Sequence, residues 1–351
     1  MIRSMRPLSW AVMAFSVLLV VGCSSSGGGG GKLHMAFIYS TTSQNPFQEM
    51  AFGAKAAAED VGGIDLVENA PPAINGPAEV SQFQAAIRTA RDGIAMETLT
   101  PDLFVRPLQQ ARDAKVPVAA VDTMAPADAG VNLYVGNSNT DLGRTLATEM
   151  LKHIPAGATG EVVLGDAIPG LTLLAQRLDG MKQVLQEQRP TLTVLGPFDS
   201  GSEPVDNFNK WNNIVKAHPN AVAYLGAGAS DAVSLALIQK NGGRKFLVAS
   251  CDPDAQALVA VKEGYAVALA SPEHWLKGYI AMRLLAEHAR SGKPLTEGWW
   301  NPGGLIINSD NIDEITARQQ DEQSRKQWFA KVTAQQMGDQ GKYLRPLGEA
   351  N

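Results

Sequence analysis

Thiols and imidazoles are scarce in this chain: two cysteines, Cys23 and Cys251, and five histidines in 351 residues. The histidines, His34, His153, His218, His274 and His288, are scattered and none stands beside a cysteine, so no metal site is expected. Cys251 follows an apolar run with no basic neighbour in sequence to activate it, and reads as a small core or pocket-edge residue rather than a nucleophile. There is no G-x-S-x-G elbow, no G-x-x-x-x-G-K-[ST] loop and no H-E-x-x-H pair. "GAGASD" at 226 to 231 lacks the third glycine of a dinucleotide fingerprint and reads as a small-residue turn between strand and helix. A positive balance is also missing: 30 Lys and Arg stand against 35 Asp and Glu, a formal charge of −5, which argues against nucleic acid as a partner. These absences leave a binding protein, not an enzyme, as the expectation, with no cofactor.

What is present begins at the N-terminus. Arg3 and Arg6 precede the apolar run "LSWAVMAFSVLLVV", and "VVGCSSSGGGGG" follows, the order of charge, apolar core and small residues found in export signals. Gly22-Cys23 resembles a bacterial lipoprotein processing site. Residues 1–22 are therefore expected to be removed, Cys23 to carry lipid, and 23–32 to form a flexible Ser/Gly tether. That places the protein outside the cytoplasm, anchored to the cell membrane. With Cys23 lipidated, Cys251 has no partner for an intrachain disulfide and the fold must rest on its core.

From Leu33 onward, short apolar runs alternate with helix-period segments: "LHMAFIY", "IDLVENA", "GIAMETL" and "VPVAAVD", then "GEVVLGD", "TLTVLGPF", "AVAYLGA", "RKFLVAS" and "YAVALAS". This is βαβ grammar, and nearly continuous Val, Ile, Leu and Ala suits parallel strands covered by helices on both faces. The fold class is α/β, two doubly wound parallel-sheet lobes. The stretch after Asn308 is charged and Gln-rich, and 313–351 reads as a surface appendage.

A polar or charged residue recurs where a buried strand ends: Glu97, Asp122, Asp166, Ser230 with Asp231, and Asp252. All fall at the carboxyl edge of their sheets, where open α/β sheets bind ligands. In "YSTTSQNPFQEM" the polar turn Thr41 to Asn45 leads into a helix with Asn45 as cap and Pro46 first, so Thr42, Gln44, Asn45 and Phe47 are placed over the same edge. Two such edges facing each other make a polar cleft suited to polyhydroxylated ligands, with Phe47, Phe198, Trp211 and Trp275 as candidate aromatic walls.

Taken in order, "TSQNPFQEMAFGAKAAAE", "AKVPVAAVDT", "AQRLDGM" and "ASPEHWLKGYIAMRLL" resemble the type I periplasmic sugar-binding proteins of ABC importers, across nearly the whole mature chain. The resemblance implies two lobes joined by three crossings, with 33–138 plus 272–303 as the N-terminal lobe and 139–271 plus 304–312 as the C-terminal lobe. It implies that ligand closes the lobes by hinge bending, a motion already familiar for periplasmic binding proteins. It makes Asn45, Phe47, Asp122, Arg177 and Asp252 ligand contacts. Thr123 stands where ribose binders carry arginine, Ser230 where an asparagine is usual, and Ser271 where a glutamine is frequent. Glu97, where a neutral residue is common, either pairs with Arg177 or reads a ligand amine. The implied partners are a sugar or polyol and the permease subunits of the importer, with the chain itself a monomer. A ligand sensor on the same fold is the alternative.

Overall fold

A computed structural model describes residues 31–350, so the expected export signal and Cys23 lie outside the described residues. Lys32 onward forms one compact unit. The first lobe opens with β1 (Leu33–Ile38), α1 (Asn45–Val61), β2 (Ile64–Asn69), α2 (Gly76–Thr89), β3 (Gly93–Met96), α3 (Val105–Asp113), β4 (Val118–Val121) and β5 (Leu133–Val135). The second takes α4 (Asn139–Leu151), β6 (Gly160–Asp166), α5 (Thr172–Gln188), β7 (Leu192–Asp199), α6 (Pro204–Ala217), β8 (Ala221–Gly226), α7 (Asp231–Gly242), β9 (Leu247–Cys251), α8 (Ala255–Lys262) and β10 (Ala268–Ser271). The chain then returns for α9 (His274–Ser291) and β11 (Gly298–Trp300), crosses again for β12 (Leu305–Ile307) and α10 (Ile312–Arg318), and ends with α11 (Glu322–Gly338) and β13 (Leu344–Arg345).

The sheet orders are β13-β11-β5-β4-β3-β1-β2 and β12-β10-β9-β8-β6-β7, parallel throughout except for the antiparallel edge strands β13 and β12. Central strands such as β3 and β4 are buried at every residue, because helices cover both of their faces. Helix α1 starts one residue earlier than its sequence suggests. Gln44, in extended backbone, takes the capping position without a side-chain bond, Asn45 is the first helical residue and Pro46 sits in the first turn. Proline tolerates that turn because its missing N–H has no helical acceptor there.

Crossings at Gly136–Ser138, Pro272–Glu273 and Asn301–Gly304 are joined by a fourth at Gln319–Asp321. Asn137 Nδ2 donates to the Gly303 carbonyl at 2.6 Å, tying the first crossing to the third. Glu273 accepts from Ser271 Oγ at 2.7 Å and from Arg318 at 3.0 and 3.1 Å, tying the second to the fourth. The reading of 313–351 as a surface appendage is corrected here. Ile312 and Ile315 enter the core of the second lobe, Phe329 stacks on Trp275 in that of the first, and Arg325 pairs with buried Glu49 at 2.7 Å. Charged, Gln-rich composition misled because polar residues are themselves taken into the interface: Arg318, Arg325, Thr333 and Gln336 are buried beside Ile315 and Phe329.

Each lobe brings two helices together through glycine. A methyl on Gly278 of α9 would lie 1.9 Å from the Met50 carbonyl oxygen of α1, and one on Gly143 of α4 would lie 1.8 Å from that of Arg177 in α5. Gly278→Ala is expected to lower stability by about 1 to 3 kcal/mol in urea unfolding, through overpacking. Helix propensity alone points the other way, toward a gain of about 1 kcal/mol, so the sign of the change decides.

Candidate functional site

The carboxyl edges of the two sheets face one cleft. Its inner cavity, about 50 Å³, is walled by Gln44, Phe47 and His274 from the first lobe and by Leu171, Arg177 and Asp252 from the second. An outer cavity of about 580 Å³ adds Thr123, Met124, Tyr134 and Gln176, and shares Leu99, Asp122 and Leu171 with the inner one. A larger depression of about 770 Å³ lies between the C-terminal ends of α1 and α9. It belongs to one lobe, and Arg283 and Arg290 there are already paired with Glu287 and the Gly62 carbonyl. The cleft is the better site because convergent, buried polar groups of both lobes line it.

Asp122 and Asp252 are placed by the same device in each lobe. Each follows a central strand in left-handed backbone, φ 63° and 60°, which aspartate tolerates better than most residues. Each donates its N–H to the end of the neighbouring strand, Asp122 to Val135 and Asp252 to Ala270, both at 2.9 Å. Tyr134 Oη adds a 2.8 Å bond to the Asp122 carbonyl.

Their carboxylates meet buried cations. Lys277 Nζ pairs with Asp122 Oδ1. Arg177 donates to Asp252 Oδ2 at 2.8 Å, to Asn139 Oδ1 at 3.1 Å and to the Ala227 carbonyl at 2.9 Å. His274 Nε2 lies 2.9 Å from Asp252 Oδ1. Burial by itself would raise both acids. Lys277 and Arg177 outweigh it at Asp122, and Arg177 with the hydrogen bond from His274 at Asp252, so both carboxyls lie below the usual range. Burial lowers Lys277, opposed by Asp122 and reinforced by Arg177. Cys251 is pushed up to about 12 by burial, which keeps its thiol protonated.

Of the residues singled out in the sequence, Gln44, Phe47, Asp122, Thr123, Arg177 and Asp252 line these two cavities. Buried Thr123 Oγ1 makes no hydrogen bond among the described residues, leaving a free polar group at the outer cavity. Thr42 is exposed, its N–H on the Pro71 carbonyl, and Asn45 lies beside the lining residues rather than among them. Ser230 bonds the Ser202 carbonyl, and Ser271 turns to Glu273 at the crossing.

Five assignments are corrected by packing. Asp231 is saturated inside the second lobe by Ser200, Asn207, Trp211 and the Gly228 N–H, at 2.7 to 3.0 Å. Trp211 is fully buried as one of those donors, and Phe198 packs on the His218 ring, so neither walls the cavities. Trp275, a further candidate wall, is sandwiched between Tyr279 and Phe329. Glu97 accepts from the Ser40 N–H at 3.0 Å and is not bonded to Arg177, whose donors are taken within its own lobe. Sequence reading missed His274 and Lys277. The usable signal was their position in the first turn after the Ser271-Pro272 crossing, which points that turn back at the cleft.

A model of the periplasmic binding protein domain matches residues 35–294. The chain belongs to this family. This periplasmic binding protein is 25% identical over 175 residues to the xylose/arabinose-binding protein XylF of Sulfolobus acidocaldarius, a match spanning 47% of this chain and 42% of that relative. Among solved structures it is similar to GanP, a glucose-galactose binding protein from Geobacillus stearothermophilus, with TM-score 0.71 and 22% identity, over 80% of this chain and 98% of that one. It is also similar to an ABC transporter solute-binding protein from Burkholderia graminis in complex with D-arabinose, with TM-score 0.74 and 22% identity, over 80% and 97%. These likenesses establish the fold as two α/β lobes of the type I periplasmic binding protein kind.

Proposed function

We propose that this chain is the extracytoplasmic solute-binding component of an ABC importer. It captures a monosaccharide, polyol or similar small hydroxylated molecule between its lobes by hinge closure and presents it to the membrane permease. The observation that carries this reading is the pair of ionised carboxylates, Asp122 and Asp252, one from each lobe, in a cleft that also holds the ring of Phe47. Carboxylates accept hydroxyl hydrogen bonds in pairs, and an aromatic face covers the C–H side of a sugar ring. Relatives described as binding xylose, arabinose, glucose or galactose support the same class of cargo. In this reading the chain acts as a monomer, held to the membrane by lipid on Cys23, and no bond of the ligand is made or broken.

Thermal melts of residues 24–351 against pentoses, hexoses, alditols, inositols and amino sugars test the proposal. A ligand at about a hundred times its dissociation constant adds about 2.7 kcal/mol and raises the melting temperature by several degrees. A panel without a single shift would remove the sugar reading. Asp122→Ala is expected to weaken the identified ligand by about 2 to 3 kcal/mol, because hydroxyls taken into the cleft lose their acceptor. Calorimetry returning the wild-type affinity would place the ligand elsewhere.

A further inference from the structure

His274 and Lys277 occupy the first turn of α9, directly after the second crossing, and are 6% and 0% exposed. Together they join two ion pairs that belong to different lobes, Lys277 with Asp122 and Arg177 with Asp252. His274 Nε2 lies 2.9 Å from Asp252 Oδ1, and its Nδ1 lies 3.4 Å from Lys277 Nζ. A carboxylate only accepts and an ammonium only donates. Both contacts are satisfied together by one form of the ring, neutral with its proton on Nε2: Nε2–H donates to Asp252, and the Nδ1 lone pair accepts from Lys277. A second proton on Nδ1 would meet the ammonium head-on.

We propose that His274 and Lys277 are positioning residues for ligand binding, a neutral bridge that holds Asp122 and Asp252 as one preset pair of acceptors across the cleft. This rests on the reading of the cleft as a sugar site. Lys277 engages Oδ1 of Asp122 and leaves Oδ2 for a ligand hydroxyl, while Asp252 has His274 on Oδ1 and Arg177 on Oδ2 and offers a ligand the second lone pair of each oxygen. The charged groups around the ring are Lys277 on α9, Glu273 in the second crossing, Asp122 after β4, Asp252 after β9 and Arg177 on α5. Glu273 is committed to Arg318, and the two aspartates are matched by two cations, so the contacts with Asp252 and Lys277 set the tautomer of the ring.

The test compares the full chain with His274→Gln, His274→Phe and Lys277→Met. Glutamine carries one donor and one acceptor, like the neutral ring, whereas phenylalanine keeps the ring and loses both. Calorimetry with D-arabinose, D-fucose and D-xylose is expected to show at least about a tenfold loss of affinity in His274→Phe and Lys277→Met. His274→Gln is expected to stay within about threefold of wild type. Rescue by His274→Gln but not by His274→Phe separates the ring's donor and acceptor from its packing, which a merely structural role would not produce. Unchanged binding in His274→Phe, or a loss in His274→Gln as large as that in His274→Phe, overturns the proposal. If none of the three sugars binds the wild type, the ligand found in the thermal-melt panel replaces them; if the whole panel is silent the sugar reading fails instead, and the bridge is decided by the ¹⁵N spectrum of the ligand-free chain. There, the Nε2–H tautomer supports it, and an Nδ1–H tautomer or an imidazolium at neutral pH refutes it.

Discussion

Arg177→Leu is expected to destabilise the protein by about 3 to 5 kcal/mol, because it strands a carboxylate that the fold cannot return to water. Arg177 is 1% exposed and its guanidinium holds three buried oxygens at once, those of Asp252, Asn139 and the Ala227 carbonyl. Leucine fills much of the space and satisfies none of them. Urea unfolding at neutral pH measures the loss. The double variant Arg177→Leu with Asp252→Asn should recover part of it, since removing both charges of a buried pair costs less than removing one. A single variant as stable as wild type would mean that water reaches Asp252. The ion pair also carries an acid dependence. Asp252 is depressed in the folded state, so its contribution is present above the unfolded carboxyl range near pH 4 and is lost as the pH falls through the folded value.

Glu79→Gln is expected to act in the opposite direction, raising stability at alkaline pH. Glu79 on α2 and Glu97 after β3 are both buried, and each has an Oε1 without a hydrogen-bond partner among the described residues. Burial pushes Glu79 up to about 8 against the single bond from Thr98 Oγ1, and burial with the nearby charges of Glu79 and Asp122 pushes Glu97 well above the carboxylate range. The folded state therefore binds more protons than the unfolded chain between about pH 4.5 and 8, and stability falls as the pH rises through that window. Glutamine keeps an acceptor for Thr98 and cannot ionise. At pH 8 the variant should gain on the order of 3 kcal/mol over wild type, with little change at pH 5. Urea midpoints at the two pH values provide the check, and parallel profiles for the two proteins would show that Glu79 ionises without penalty.

Much of this architecture was legible along the chain. Continuously apolar runs ending in a polar residue identify parallel strands and their carboxyl edges, and the places of Asp122 and Asp252 at the cleft were read in that way. Arg177 came from a short motif resemblance, and the structure seats it beside Asp252. Aromatics were the least reliable guide. Trp211, Phe198 and Trp275 have no local feature that separates a core ring from a cavity wall, and all three turned out to be packed against protein.

The strand segments, the alternation of strand and helix and the carboxyl-edge acids follow from periodicity and turn chemistry, which act over a few residues and are written locally. Partnership between distant side chains does not. "EHWLKGY" reads as an ordinary helix start, and His274 and Lys277 become site residues only because the second crossing turns that helix toward Asp252, 22 positions back, and Asp122, 155 positions back. The tail from Ile312 is likewise polar by composition, yet its few apolar residues complete two cores that earlier elements leave open. A desolvated charge must be matched wherever the fold brings it, and that requirement is set by three-dimensional neighbours rather than by sequence neighbours.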